Sequence, residues 1–283
     1  MINTWQKRQH QIVGGSARMA WLLLRLGVCM EFVGHGAFGV ITKEGWLPYF
    51  AVWGIPEPLA WKLMPVVGTI DIILGVMALV TPRKGFLLFM AAWGLMTACL
   101  RPLAGEPISE LLERAYNYGV PLAVFLMIAW DSKPYGWWQP VEDIPFLSTE
   151  RFKLLRWVLR VTIPVYLVGH GMFGAIDGKA GLATHYDVTG ISALFGSTDV
   201  AMMAIGRFEI LLGFTVLFLP VTPLLLLVCL WKIFSESLFI SSGAYFGIFE
   251  FIERGASVIA PLALHYIQQE LKYRSRARIN HVS

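Results

Sequence analysis

Charge is scarce in this chain. Asp, Glu, Lys and Arg together make up 15% of its 283 residues, against about a quarter in an ordinary globular domain. With 56% hydrophobic residues and a mean hydropathy of +0.61, that scarcity excludes a conventional soluble fold. Cysteine is scarce too. Cys29, Cys99 and Cys229 stand far apart in apolar segments, so they form no redox or metal-ligand spacing and read as packing residues. No Cys-x-x-Cys-His occurs, which excludes covalently attached haem. The N-terminal stretch MINTWQKRQHQIVGG lacks an immediate apolar signal-peptide core. The first hydrophobic segment is therefore expected to be kept as a helix.

What is present is a series of apolar runs of bilayer-spanning length. The 11 Trp and 18 Phe suit that class, because rings near segment ends anchor at the interface. Eight spans are expected, over residues 20–41, 59–80, 85–103, 108–130, 154–176, 200–219, 222–240 and 247–268. A polar and aromatic linker, 131–153, joins a first unit at 1–130 to a second at 154–283, whose basic tail KYRSRARIN is expected to be unstructured at its end. The predicted fold is an all-α polytopic membrane protein. Formal net charge is +4. In this class such a balance reports cytoplasmic-side Lys and Arg, and no nucleic-acid partner is expected. Lys7, Arg8, Arg18, Arg83, Lys84, Lys133, Arg151, Lys153, Arg156, Lys272, Arg274, Arg276 and Arg278 cluster on one side of the predicted spans. Glu44, Glu57, Asp177, Asp187 and Asp199 fall on the other. The positive-inside rule then puts both termini in the cytoplasm.

One motif occurs twice. Leu24–Phe38 reads LRLGVCMEFVGHGAF and Leu159–Phe173 reads LRVTIPVYLVGHGMF. Each copy sets an Arg, Arg25 or Arg160, ten residues before the His of a Gly-His-Gly. The repeat continues. Gly68-x-x-Asp71-x-x-x-Gly75 matches Gly206-x-x-Glu209-x-x-x-Gly213, and Glu113-Arg114-x-x-Asn117 matches Glu253-Arg254-x-x-Ser257. Four spans per copy make the copies parallel, with a pseudo-twofold axis along the membrane normal. His35 and His170 then lie at one depth, in the outer half of the membrane. Glu31 stacks one turn from His35, whereas the second copy has Tyr166 at that place.

Ionisable groups inside spans are costly and point to a site. Glu31, Asp71 and Glu209 are candidate proton-handling or quinone-binding groups. His35 and His170 are candidate axial ligands of one haem b held between the copies. Arg25 and Arg160 could meet propionates, lipid phosphate or a neighbouring carboxylate. Ten residues is about 15 Å along a helix, so Arg101, Arg114 and Arg254 are alternative propionate partners. Glu113-Arg114 and Glu253-Arg254 also read as pairs that neutralise themselves and fix helix orientation. The flanking glycines admit either a flat ligand or close helix packing. Other readings stay open: a non-haem metal or quinone site using Glu31, His35 and Asp71, a non-catalytic scaffold or assembly subunit, and a transporter.

The run from Arg25-Leu26-Gly27 through Gly34-His35-Gly36, then Gly68-x-x-Asp71-x-x-x-Gly75 and Pro82-Arg83, resembles the DoxX/DoxD-like four-helix membrane family. The resemblance covers about Arg18 to Trp130 and returns more weakly over Arg156 to Tyr266, as in a fused tandem. One branch of that family is similar to the membrane subunit of thiosulfate:quinone oxidoreductase. Members commonly carry Lys where this chain has Gly-His-Gly. The resulting expectation is a bacterial or archaeal cytoplasmic-membrane subunit in quinone-linked electron transfer, with haem b, membrane lipids, quinone and partner subunits.

Overall fold

The computed structural model describes residues 14–128, 136–144 and 147–279. Lys7, Arg8 and Lys133 of the predicted charge pattern, and the end of the fourth predicted span at 129–130, lie outside them. Among the described residues there are thirteen α-helices and no strand. They are α1 (Gly15–Val40), α2 (Leu47–Val52), α3 (Glu57–Val80), α4 (Lys84–Leu103), α5 (Ile108–Glu113), α6 (Ala115–Met127), α7 (Thr149–Ala175), α8 (Ala180–Val188), α9 (Ile191–Phe195), α10 (Thr198–Phe218), α11 (Thr222–Ser241), α12 (Gly247–Glu253) and α13 (Ala256–Ile279).

Six of these, α1, α3, α4, α7, α10 and α11, are long and apolar enough to cross a membrane. The chain is a helical multi-pass membrane protein. Large apolar side chains such as Leu22, Ile73, Leu211, Phe214 and Leu230 are exposed on these helices, as lipid-facing positions require.

The fourth and eighth expected spans are each broken. The first break is at Arg114, between α5 and α6. The second is at Arg254-Gly255, between α12 and α13. At each break the Arg carbonyl accepts from the residue three ahead, Asn117 N in one case and Ser257 N in the other, both at 2.9 Å. That is a tight turn in place of an α-helical one. The end of the basic C-terminal tail, from residue 280, lies outside the described residues. α13 stays helical to Ile279, with Arg274 reaching Glu270 at 2.8 Å and the Leu147 carbonyl at 2.6 Å. The described part of the linker folds back onto the start of α4. Val141 N donates to the Pro82 carbonyl and Gly85 N to the Trp137 carbonyl, each at 2.9 Å.

The centre of the bundle is shared by both halves of the sequence. α1 packs on α3 and on α12–α13, while α7 packs on α10 and on α5–α6. One apolar cluster holds Leu24, Val120, Leu159 and Leu264 together. The glycines of both Gly-His-Gly motifs make these approaches possible. A Cβ on Gly34 would lie 2.3 Å from Glu253 N, and one on Gly169 would lie 2.3 Å from Glu113 N. A Cβ on Gly36 or on Gly171 would lie 2.5 Å from the carbonyl of Gly68 or of Gly206. Those glycines serve helix packing against backbone.

Gly68→Val should therefore force α1 and α3 apart, since its Cβ would meet the Gly36 carbonyl at 2.3 Å. We expect a loss of about 3 kcal/mol, seen as aggregation in size-exclusion chromatography. Gly15→Ala, with nothing within 4 Å of the added carbon, should elute as the parent does.

Candidate functional site

α1 carries Glu31 and His35 on one face, four residues apart. The close α1–α3 crossing at Gly36 and Gly68 brings Asp71 to His35, with Oδ2 at 3.0 Å from Nδ1. Asp71 is 1% exposed, Glu31 2%. In the tautomer with the proton on Nδ1, Asp71 Oδ2 accepts from it and Nε2 is the ring's second nitrogen. The His35 ring stacks on Trp46, centroids 4.7 Å apart.

A cavity of about 420 Å³ opens at His35. Its apolar walls include Trp46, Tyr49, Phe50, Trp53 and Trp93, and Arg101, Arg114 and Asn117 add polar groups. A recess of about 10 Å³ adjoins it at His35, Trp93, Thr97 and Asn117, and includes Glu31. With its amide oriented to suit both ends, Asn117 donates to Glu31 Oε1 at 2.7 Å and to the Arg114 carbonyl at 3.2 Å. Three buried polar atoms here have no partner: Glu31 Oε2, Asp71 Oδ1 and Trp93 Nε1. Arg101 meets Glu106 at 3.1 Å and Glu110 at 3.2 Å, with its guanidinium over the Tyr49 ring. Tyr49 donates to Glu106. Burial raises the Tyr49 pKa above its ordinary value, so this phenol stays a neutral donor.

The second half reuses the plan and fills it. His170 Nδ1 meets Glu209 Oε2 at 2.5 Å. Here the other carboxylate oxygen has partners, Trp231 Nε1 at 2.7 Å and Lys232 Nζ at 3.5 Å. Lys232 also meets Glu236 at 2.6 Å, and Tyr166 donates to Glu236 at 2.9 Å. Lys232 is fully buried. Trp231 follows Trp93 by the same interval as Glu209 follows Asp71, so Lys232 and Glu236 correspond to Gly94 and Ala98. The buried positions agree, Leu87, Met90, Gly94 and Ala98 on α4 matching Leu225, Val228, Lys232 and Glu236 on α11. An ion pair thus stands where the first half has two small residues beside a cavity.

Between the two histidine sites lies a crossed lock. Arg114 reaches Glu253 at 3.1 Å, and Arg254 reaches Glu113 at 3.1 Å. Each arginine thus reaches a carboxylate of the opposite half as well as carboxylates of its own, Arg114 meeting Glu113 at 3.4 Å. Arg254 also meets Glu250, and its Nε lies 3.6 Å from Glu236. Toward the ends of these helices the exchange repeats. Lys43 bonds Glu250 at 2.9 Å and Lys179 bonds Glu110 at 2.6 Å. Desolvation lowers the Lys179 pKa.

Arg25 and Arg160 are placed elsewhere. Arg25 donates to the Ala78 and Leu79 carbonyls, and Arg160 to the Leu217 and Phe218 carbonyls. Both cap the C-terminal turn of the neighbouring helix, where cations are favoured. Their guanidinium groups are thus engaged with backbone carbonyls at the far end of the neighbouring helix.

A haem b ligated by both histidines needs one cavity that both imidazoles enter. The cavity at His35 does not include His170. His170 is 6% exposed, its ring set between Tyr166 and Phe173, with Nε2 4.0 Å from Glu236. The glycines that could have admitted a flat macrocycle are closed by backbone. These residues do not fit a shared bis-histidine haem. Among the described residues, no group of three or more His, Cys, Asp or Glu side chains is arranged around a metal position.

Sequence reasoning brought Glu31, His35 and Asp71 together correctly as neighbours. It missed the walls Trp46, Tyr49 and Trp93, and the pair Lys232–Glu236. The latter had a readable signal: two opposite charges four apart in an otherwise apolar helix. No family model matches the chain, and no curated protein or solved structure matches it either.

Proposed function

We propose that the chain is a cytoplasmic-membrane subunit that binds a quinone-class molecule in the His35 cavity and exchanges protons with it. The observation that carries this reading is the unequal state of the two histidine sites. The first combines a His–carboxylate pair with an apolar, aromatic-walled cavity, whereas His170 is packed between Tyr166 and Phe173. Such a cavity suits a flat head with an apolar tail. Asp71 holds the His35 ring by Nδ1, and Nε2 is the nitrogen that faces the chemistry. Oxidation of a quinol releases two protons and two electrons: one hydroxyl gives its proton to Nε2, the other gives its proton to water at the cavity mouth, and both electrons leave to a redox partner. In the reverse direction a protonated His35 donates to a quinone carbonyl. Arg101 and Arg114 supply fixed positive charge at the cavity edge.

The same reading takes the chain as eight crossings in two parallel repeats, with both termini on the cytoplasmic side. α5–α6 and α12–α13 each count as one crossing. At about 1.5 Å per residue, 108–127 is long enough to span about 30 Å. The resemblance to the DoxX-like family, with its quinone-linked branch, supports a partner-dependent redox role.

Titration of the purified chain with a short-tail ubiquinone should quench the cavity tryptophans with saturation. His35→Ala should abolish the saturable part, and His170→Ala should leave it. Equal quenching in wild type and His35→Ala would sink the proposal.

A further inference from the structure

The two halves carry equal numbers of buried carboxyl groups around their histidines. The first has Glu31 and Asp71, the second Glu209 and Glu236, and all four are nearly fully buried. Only the second half answers them with a cation on its own helix, Lys232. Its ammonium lies 2.6 Å from Glu236, 3.5 Å from Glu209 and 4.9 Å from the centre of the Tyr166 ring. In the first half the corresponding residue is Gly94, and Gly94 lines the recess beneath His35. Arg114, on that side, forms its ion pairs with Glu113 and Glu253.

A buried carboxylate without a cation or full hydrogen bonding is expensive. Glu31 is such a group. Asn117 satisfies Oε1, but Oε2 is buried and unpartnered, and the residue lines the recess. The second oxygen of Asp71 is unpartnered as well. The recess, about 10 Å³, is close to the space one water-sized particle needs. Its polar lining beyond Glu31 is Thr97, Asn117, the Trp93 indole N–H and the His35 ring.

We infer that this recess is a site for one small monovalent cation, and that Lys232 is its tethered counterpart in the second half. The cation would sit against Glu31 with oxygen donors from Thr97 and Asn117, in the place that Lys232 Nζ takes against Glu236. It would be sodium or ammonium in size. The site needs no quinone, so it stands or falls separately from the function proposed above.

The test uses the full chain in detergent micelles with no quinone added. Equilibrium uptake of labelled sodium is measured at constant ionic strength in choline chloride, with ammonium and potassium as competitors. Saturable uptake approaching one ion per chain is expected, displaced by ammonium. Glu31→Gln should lose it, and Thr97→Val should weaken it, while both elute as wild type does. Lys232→Ala provides a second readout. Its thermal midpoint should fall and be restored by ammonium or ethylammonium chloride, with choline chloride inert. No saturable uptake by the wild type would overturn the inference. So would full uptake in both recess variants, or a Lys232→Ala defect that responds equally to choline.

Discussion

Arg254→Met should be among the most destabilising single changes in this protein. Arg254 is 8% exposed and faces four carboxylates, Glu113, Glu236, Glu250 and Glu253. Removing the guanidinium leaves Glu113 with Arg114 alone, its remaining contact at 3.4 Å, and strips Glu236 of its second cation. Breaking a buried pair from one side costs about 3–5 kcal/mol, because the orphaned charge stays buried. The effect is enlarged here by position. The lock joins the turn between α5 and α6 to the turn between α12 and α13, so its loss loosens the interface of the two halves. Unfolding in mixed micelles, titrated with SDS, should show the loss directly. Glu113→Gln should cost a similar amount. The double variant Arg254→Met, Glu113→Leu should recover part of it, since an apolar pair leaves no lone charge. Two single variants within about 1 kcal/mol of wild type, the range of exposed pairs, would show that the lock is solvated in the working protein.

Much of this plan was legible in the chain, and the illegible part has physical causes. Hydropathy found the apolar helices, because period and length suffice for that. It could not find the turns at Arg114 and Arg254. A span reads as continuous when its residues are apolar, whether or not one carbonyl leaves the helical ladder. The adjacent Glu113-Arg114 looked like a self-neutralising pair. The two do meet, at 3.4 Å, but each also reaches across to the opposite half, Arg114 to Glu253 and Glu113 to Arg254, at 3.1 Å. The Gly-His-Gly motif reads as a repeat whose copies have diverged at Glu31 and Tyr166, with its glycines open to either a flat ligand or close packing. Its glycines fit backbone, so the motif fixes helix approach. What each histidine can do is decided by residues outside it: Glu31 against Tyr166, Gly94 against Lys232, and Trp46 from a short turn beyond the expected spans.

That division makes Asp71→Asn and Glu209→Gln an informative pair. The two carboxylates occupy corresponding places and each holds a histidine Nδ1, yet opposite consequences are expected. Asp71 faces a cavity-lining histidine and has an oxygen to spare. Asn at that position keeps the volume and can still accept from Nδ1, but it removes the charge that supports imidazolium on His35. Proton transfer at a positioned side chain is worth about 10²–10⁴ in rate. Oxidation of bound quinol by an added one-electron acceptor should therefore slow by about a hundredfold or more, with quinone affinity little changed. Glu209 sits in a filled network, bonded to His170, Trp231 and Lys232. Glu209→Gln removes the charge facing Lys232 and cannot serve every one of those donors. It should cost stability of about 3 kcal/mol while the quinol rate of the surviving folded protein stays near wild type. A rate loss in both variants would mean that the second histidine takes part in the chemistry despite its closed surroundings. A rate loss in neither would remove Asp71 from the reaction and leave the cavity a binding site only.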